Sequence, residues 1–187
     1  MTKQKTTKKY IAFLRGINVG GHHKLPMADL KVTLAPLGYT DIITILNSGN
    51  VIFDAEVQDV KDIEKNMEAR LESTFGFPVP TCIREASYIV RFHESDPFKN
   101  NTLTKDIRFY VSFLKEHKTS TTSDITIPYS SLDNSYRIIE KREKTILSIL
   151  DLSISQTPKA MSLLEKTYGK DITTRNWKTI ERIIKKL

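Results

Sequence analysis

Tyr10-Ile-Ala-Phe-Leu-Arg-Gly-Ile-Asn-Val-Gly-Gly21 is the stretch that decides the fold of this chain. Its first five residues are all apolar, which is typical of a strand covered on both faces. The glycines then allow backbone conformations that a side chain forbids, and Pro26 suits the first turn of a following helix. The stretch therefore predicts a strand, a polar loop and a helix in succession, with a site in the loop.

The rest of the first half alternates amphipathic helices with strands. Apolar residues recur at helical spacing over 27–37 and 60–75, and the second run has a cap at Asp59 and an exit glycine at Gly76. Three further strands are predicted at 41–46, at 51–53 and up to Ile83. The resulting β-α-β-β-α-β order is that of ferredoxin-like folds, so we predict a ferredoxin-like α+β subdomain over residues 10–95.

Residues 96–187 predict a second, smaller α+β subdomain with antiparallel strands that ends in a helix. The predicted elements are a strand at 106–114, a polar loop at 118–124, a hairpin over 136–150, a helix at 158–168, an extended or looped stretch at 171–176 and a helix at 177–187. Their order echoes the first half. No repeat of individual residues is evident between the halves.

Composition excludes several classes of protein. The 187 residues are 39% hydrophobic and 27% charged, which is ordinary for a soluble globular chain. No apolar run predicts a membrane span or a signal peptide, so a cytoplasmic location is expected. Cys82 is the only cysteine, which rules out an intramolecular disulfide, and we interpret it as a buried core residue. The four histidines have no metal-site spacing, so no metal is predicted.

The net charge of +7 is unevenly distributed. Residues 1–9 carry four lysines and no acidic residue, and residues 94–187 carry seventeen basic and twelve acidic residues. We interpret residues 1–9 as a flexible Lys-rich tail. The basic second half is compatible with weak, salt-sensitive and non-specific binding of nucleic acid.

Three motifs occur in order, Arg15-Gly-Ile-Asn-Val-Gly-Gly21, Asn47-Ser-Gly-Asn-Val51 and Thr173-Thr-Arg-Asn-Trp177. Together they resemble DUF1697, a bacterial family of unknown function, over nearly the whole chain. The resemblance implies no established activity and no known cofactor. In that family the helix before the third motif begins with a Ser-Lys pair. Pro158-Lys159 occupies those positions here, so only Lys159 carries over.

The motifs supply groups suited to an anion. A helix N-terminus attracts negative charge, Lys24 adds a full positive charge, and glycines let the backbone approach a phosphate or carboxylate. Arg15 interrupts an apolar strand and therefore needs either a carboxylate such as Asp54 or a ligand oxygen. Arg175 stands beside two threonines at a helix start. The predicted ligand-binding residues are Arg15, Asn18, Gly20, Gly21, Lys24, Ser48, Asn50, Lys159, Thr174, Arg175 and Asn176.

Each motif also has a purely structural interpretation. Ser48-Gly49-Asn50 is typical of a hairpin turn, and we favour that role because we expect the first and third strands to run parallel. That orientation would place the turn about 16 Å from the glycine loop, at the opposite end of the sheet. Thr174 or Asn176 can cap the last helix.

Three functions remain open from the sequence. The leading hypothesis is a cytoplasmic protein that binds a small anionic ligand, phosphorylated or nucleotide-like, between its two subdomains. The second is nucleic-acid binding, although Tyr10, Phe13 and Phe53 do not reproduce the aromatic pair of RNA-recognition domains. The third is a non-catalytic interaction protein. No general base is recognisable, so the sequence leaves open whether the protein is an enzyme.

Overall fold

The computed structural model describes residues 6–115 and 125–187, and the chain divides into two compact units. Residues up to Val90 form the first unit together with Lys185–Leu187, and Arg91–Ile184 form the second. The boundary lies inside a helix, Ala86–Glu94, and so precedes the predicted boundary at residue 95. The second unit was predicted to be the smaller one, but its sheet has five strands against four in the first.

The first unit has the predicted order of elements. They are β1 (Thr7–Leu14), α1 (Met27–Leu34), β2 (Thr40–Ile45), β3 (Asn50–Glu56), α2 (Val60–Phe75), β4 (Thr81–Glu85) and the start of α3 (Ala86–Glu94). Helix α2 has the bounds that its sequence signals predict. The Asp59 side chain accepts a hydrogen bond from the Lys61 N–H at 2.9 Å, and Gly76 ends the helix in a left-handed conformation.

The strands of the first unit are ordered β2-β3-β1-β4, and every neighbouring pair is antiparallel. The expectation that β1 and β3 run parallel was therefore wrong. The crossover through α1 returns the chain in the direction of β1, and the β2–β3 hairpin reverses it again. Because Phe13 is paired with Asn50, the hairpin turn lies at the same end of the sheet as the loop after β1.

Both faces of β1 are buried. Tyr10, Ala12 and Leu14 belong to the core cluster that also includes buried residues of α1 and α2. Ile11 and Phe13, which point to the other face, are also fully buried. The continuous apolar run therefore reflects burial on two sides, as its sequence predicts.

Residues 7–9, predicted to belong to a flexible basic tail, are part of β1, which begins at Thr7. Within this strand Lys8 forms an ion pair with Glu85, and Lys9 forms one with Asp54, each at 2.7 Å. Asp54 is paired in register with Lys9, six residues before Arg15, which places it near the opposite end of β1. Asp54 is therefore not the partner of Arg15.

Helix α2 also closes the outer edge of β4. Glu68 Oε1 accepts a hydrogen bond from the Thr81 N–H at 2.6 Å, and Glu64 Oε1 accepts one from the Ile83 N–H at 2.9 Å. An edge strand with free N–H groups is a template for pairing with another chain. The two glutamates, one helical turn apart, accept hydrogen bonds from these N–H groups and so block such pairing in the first unit.

The second unit contains a longer antiparallel sheet with the order β6-β7-β8-β5-β9. Its elements are β5 (Ile107–Leu114), β6 (Tyr129–Ser130), β7 (Tyr136–Arg142), β8 (Thr145–Asp151), α4 (Thr157–Tyr168), β9 (Ile172–Asn176) and α5 (Trp177–Ile184). The stretch predicted as extended or looped is the edge strand β9, and β6 was not predicted. The predicted polar loop at 118–124 lies outside the described residues.

The two units repeat one another at the level of single residues. Tyr110-Val-Ser-Phe-Leu-Lys115 in β5 corresponds to Tyr10-Ile-Ala-Phe-Leu-Arg15 in β1. The Leu14 N–H donates to Gly49 O and the Leu114 N–H to Lys144 O, both at 2.8 Å. Strands β7-β8-β5-β9 also follow the same spatial order as β2-β3-β1-β4. The expectation of no residue-level repeat was therefore wrong.

None of the helices described within residues 6–115 and 125–187 is long and apolar enough to span a lipid bilayer.

A single aspartate organises the turn between β6 and β7. Asp133 Oδ1 accepts hydrogen bonds from Ser131 Oγ at 2.6 Å and from the Ser135 hydroxyl and N–H at 2.7 and 3.0 Å. Hydrogen bonds from the Ser131 hydroxyl, the Ser135 hydroxyl and the Ser135 N–H hold the pKa of the Asp133 carboxyl well below its ordinary value. The positive charge of Lys159 adds to the effect. The ionised carboxylate is therefore the form that stabilises this turn.

We expect Asp133→Asn to lower the melting temperature at neutral pH, and this difference to shrink steadily as the pH falls below about 4. Because the folded-state pKa lies below the unfolded-state value of about 4, the stabilisation is complete above that value and disappears as the pH falls through the folded pKa. The measurement is thermal unfolding of wild type and variant from neutral pH down to about pH 2. Glu72→Gln, an exposed carboxylate on α2, is the control. A wild-type–variant difference that stays constant across this range would contradict the role of the charge.

Candidate functional site

Three loops meet at the end of the sheet where β1 stops, and we call residues 15–25, 46–49 and 76–80 the glycine-loop cluster. The Leu14 N–H donates to Gly49 O and the Arg15 N–H donates to Pro80 O, both at 2.8 Å. These bonds tie the hairpin turn and the α2–β4 connection to the end of β1. The first two motifs are therefore neighbours, although a parallel pairing of β1 and β3 would have placed them at opposite ends of the sheet.

Asn18 holds the shape of the loop after β1. Its Nδ2 donates to Leu25 O at 3.0 Å and to Asn47 O at 2.8 Å, and its Oδ1 accepts from the Leu25 N–H at 2.8 Å. Asn18 has a positive φ of 55°, a conformation that asparagine adopts more readily than most residues. Both amide hydrogens are used within the cluster, so Asn18 contributes shape rather than free donors.

The outer part of the loop faces solvent. Gly20, Gly21, His22 and Lys24 are exposed, and both glycines have positive φ. Arg15 is half-buried and lies just beyond the end of β1. The prediction that it interrupts the buried strand was therefore wrong. The loop backbone and the Lys24 side chain are thus accessible to solvent, whereas Arg15 is partly covered.

His23 connects the loop to the α2–β4 connection. Its ring stacks on Phe77, with 4.5 Å between centroids and an interplanar angle of 19°, and its Nδ1 lies 3.2 Å from Gly16 O. The sequence analysis gave His23 no role. Both adjacent histidines are exposed, but the His23 ring stacks on Phe77 whereas the His22 backbone is paired to Val19.

The glycine-loop cluster contains Arg15, Lys24 and two histidines but no aspartate or glutamate. Helix α1 starts immediately after it, and the N-cap residue Pro26 offers no side-chain hydrogen bond to the first turn. Free N–H groups at a helix start favour negative charge. Asp29 in that first turn is the acidic residue closest to the loop along the chain.

Ser48 and Asn50 make contacts within the hairpin turn. Asn50 is fully buried, and its Nδ2 donates to Ile45 O at 2.9 Å and to Ser48 Oγ at 3.1 Å. These bonds fit the structural role that the sequence analysis favoured for this turn. A contact of either residue with a ligand stays a prediction.

The third motif lies in the second unit, in β9 and the start of α5. Arg175 is buried, and its Nη1 donates to Thr173 Oγ1 at 2.8 Å and to Thr174 O at 2.9 Å. Thr174 Oγ1 lies 2.7 Å from Ser112 Oγ, and Asn176 Oδ1 accepts from the Lys178 N–H at 2.9 Å. Asn176 therefore caps α5, which is one of the two alternatives, Thr174 or Asn176, expected from the sequence.

The repeat identifies an arginine that the sequence analysis missed. Arg84 stands in β4 where Arg175 stands in β9, opposite Ile11 as Arg175 is opposite Val111. Both are buried, and the Arg84 Nη1 donates to Ile83 O at 2.7 Å just as Arg175 donates to the carbonyl preceding it. A comparison of β4 with β9, the strands that precede α3 and α5, would have revealed this arginine from the sequence. A ligand-binding role for Arg175 stays a prediction.

Lys159 is separate from the third motif. It lies on α4, its side chain is 76% exposed, and its Nζ is 3.7 Å from Asp133 Oδ2. It lines a cavity in the second unit, together with Lys166 and Tyr136. Cys82 is buried, and within residues 6–115 and 125–187 no group of three metal-ligating side chains is present.

Comparison with known families identifies the chain. A family model described as a protein of unknown function, DUF1697, matches residues 7–142. The chain belongs to the DUF1697 family. The matched segment contains the first two motifs of this DUF1697 protein, whereas the third motif, Thr173–Trp177, lies beyond it.

A solved structure of a conserved bacterial protein from Streptococcus pneumoniae is similar to this DUF1697 protein, with a TM-score of 0.72 and 22% sequence identity. The similarity covers 95% of this chain and 97% of that chain. At this identity the comparison supports the α+β fold alone. A comparison with curated proteins found no match.

The contact between the first two motifs makes Gly49 a sensitive position. A Cβ added there would lie 2.6 Å from Ile17 Cδ1 and 2.8 Å from Leu14 Cβ, and the φ of 74° is unfavourable for other residues. We expect Gly49→Ala to lower the free energy of unfolding by about 2–4 kcal/mol, from strain and overpacking together. The measurement is the urea midpoint at constant slope.

Gly38→Ala is the matched control for this prediction. Gly38 has a φ of 80°, and a Cβ added there would meet no atom within 4 Å. This variant should carry only the conformational cost of about 1–2 kcal/mol. Equal losses in the two variants would mean that close packing between the motifs contributes nothing.

Proposed function

We propose that this protein binds a small anionic ligand, phosphorylated or nucleotide-like, at the glycine-loop cluster of the first unit, and that it acts in the cytoplasm. The observation that carries the proposal is the meeting of the first two motifs at one end of the sheet. The loops that meet there contain cationic side chains and no carboxylate. The strand and helix order of this unit also supports a ferredoxin-like arrangement.

The physical basis is electrostatic. Lys24 and Arg15 supply full positive charges, and the start of α1 supplies N–H groups. The left-handed glycines let the backbone approach the ligand closely. Because Asn18 already fixes the loop, little conformational entropy has to be lost on binding.

A nucleic-acid ligand would have to use a different mode from that of RNA-recognition domains. Those domains stack bases on aromatic side chains exposed on the sheet. Tyr10, Phe13 and Phe53 are all fully buried in the first unit. The proposal therefore favours a small anion at the loops over a strand of RNA on the sheet.

We expect pyrophosphate and AMP to raise the melting temperature of wild type at constant ionic strength, and Lys24→Gln and Arg15→Gln to abolish this rise. A ligand present at 100 times its Kd stabilises the folded state by about 2.7 kcal/mol. The measurement is thermal unfolding of each protein with and without ligand. Lys31→Gln, an exposed lysine on α1 of the same unit, is the control.

Three results would separate the anion-binding hypothesis from the nucleic-acid hypothesis. A rise that persists at moderate salt and is lost in the two loop variants supports the proposed site. A rise that Lys24→Gln and Arg15→Gln both retain would contradict it. Stabilisation only by oligonucleotides, lost as salt increases, would favour non-specific binding of nucleic acid instead.

A further inference from the structure

We infer that the second unit contains a separate small-molecule site, in a cavity of about 360 Å³ between α4 and the β6–β7 turn. The geometry points to a small ring compound that carries one anionic group, a carboxylate or a phosphate. This inference does not rest on the proposed function, because the glycine-loop cluster belongs to the first unit. A volume of this size lies at the lower end of the range for ligand pockets, about 300–1,000 Å³.

The internal repeat explains why a cavity exists here. Helix α4 corresponds to α2: Gly169 N–H donates to Glu165 O as Gly76 N–H donates to Glu72 O. On this alignment Ala160 stands in the place of Met67, and both are buried. Replacing a long side chain by a methyl group leaves space unless the surroundings collapse.

The face of α4 that lines the cavity corresponds to the face of α2 that contacts α1. Helix α1 packs on α2, where the Arg70 Nε donates to Thr33 O at 3.1 Å. The residue that corresponds to Arg70 is Leu163, and it lines the cavity. The cavity therefore lies along the helix face that α1 covers in the first unit.

The lining combines an apolar wall with a net positive rim. Tyr129, Leu132 and Leu163 provide ring and aliphatic surface, and the Leu132 side chain is fully exposed. Lys159 and Lys166 both line the cavity. Asp133 is the one acidic residue among the described lining residues and lies near Lys159, so two lysines face one carboxylate. An anionic group on the ligand would be attracted to this rim.

A buried tyrosine completes the apolar lining of the cavity. Tyr136 lines it and is 3% exposed, and burial raises the pKa of the Tyr136 phenol to about 12. The neighbouring Ser148 hydroxyl opposes this rise only in part, and within the described residues neither oxygen has a partner in hydrogen-bonding geometry. Both oxygens are inaccessible to solvent, so Tyr136 contributes apolar surface to the cavity rather than a polar contact.

The test is a titration of the full chain with benzoate and with phenyl phosphate at millimolar concentration, followed by NMR chemical shifts. We expect at least one to bind wild type and to perturb residues of α4 and the β6–β7 turn. Benzyl alcohol has the same ring without the charge and should bind about tenfold more weakly. The preferred anion then distinguishes a carboxylate from a phosphate ligand.

Ala160→Met restores the side chain that the first unit carries at this position. It should fill the cavity and weaken binding by at least about tenfold, without lowering the melting temperature. Lys166→Met should weaken binding, and Lys178→Met on α5 should leave it unchanged.

Two results would overturn the inference. One is the binding of neither anion by wild type, and the other is equal binding by wild type and a folded Ala160→Met variant. If Ala160→Met fails to fold, the anion affinities of Lys166→Met and Lys178→Met are compared instead. Equal affinities of these two variants would also overturn the inference. Loss of binding at the glycine-loop cluster would leave these results unaffected, because the variants lie in the other unit.

Discussion

The antiparallel pairing of β1 with β3 is the constraint on which the first unit depends. It sets Phe13 opposite Asn50 and so brings the end of β1 and the start of β3 to one edge of the sheet. Two motifs that are about thirty residues apart along the chain then share hydrogen bonds between Asn18 and Asn47 and between Leu14 and Gly49. With a parallel pairing the same residues would lie at opposite ends of the sheet, and no common site could form.

The two units show how one arrangement of strands can be completed in different ways. The buried strand, the bonds at its end and the buried arginine before the following helix are common to both. The differences lie on the helix face. In the first unit Met67 and α1 fill that face, and in the second unit Ala160 and Leu163 leave a cavity there. Residues common to both units therefore serve packing, whereas the differences between the units identify candidate sites.

Much of the secondary structure could be predicted because local signals are strong. Helix α2 has a capping aspartate, an apolar stripe and an exit glycine, and these fix both of its ends. Strand β6 has only two residues, which is too short to produce a periodic pattern. Strand β9 is rich in threonine and polar residues, and its pairing with β5 decides its conformation.

The site was harder to predict because it depends on strand direction and on side-chain contacts. The sequence singles out the first two motifs, but their separation was misjudged by an error in the orientation of β3. Arg15 was assigned to the strand, although β1 ends one residue earlier and leaves it half-buried. The residue-level repeat was overlooked since its clearest part is only six residues long. Nothing in the sequence indicates that Asn18 would use its whole amide inside the loop.

The most direct test of the central claim uses six of the seven glycines of the chain as reporters. Selective ¹⁵N-glycine labelling followed by titration with pyrophosphate reports on both units in one spectrum. The account predicts shifts at Gly16, Gly20, Gly21 and Gly49, with no change at Gly38 and Gly169. Shifts confined to Gly169, or equal small shifts at every glycine, would contradict an anion site at the glycine-loop cluster.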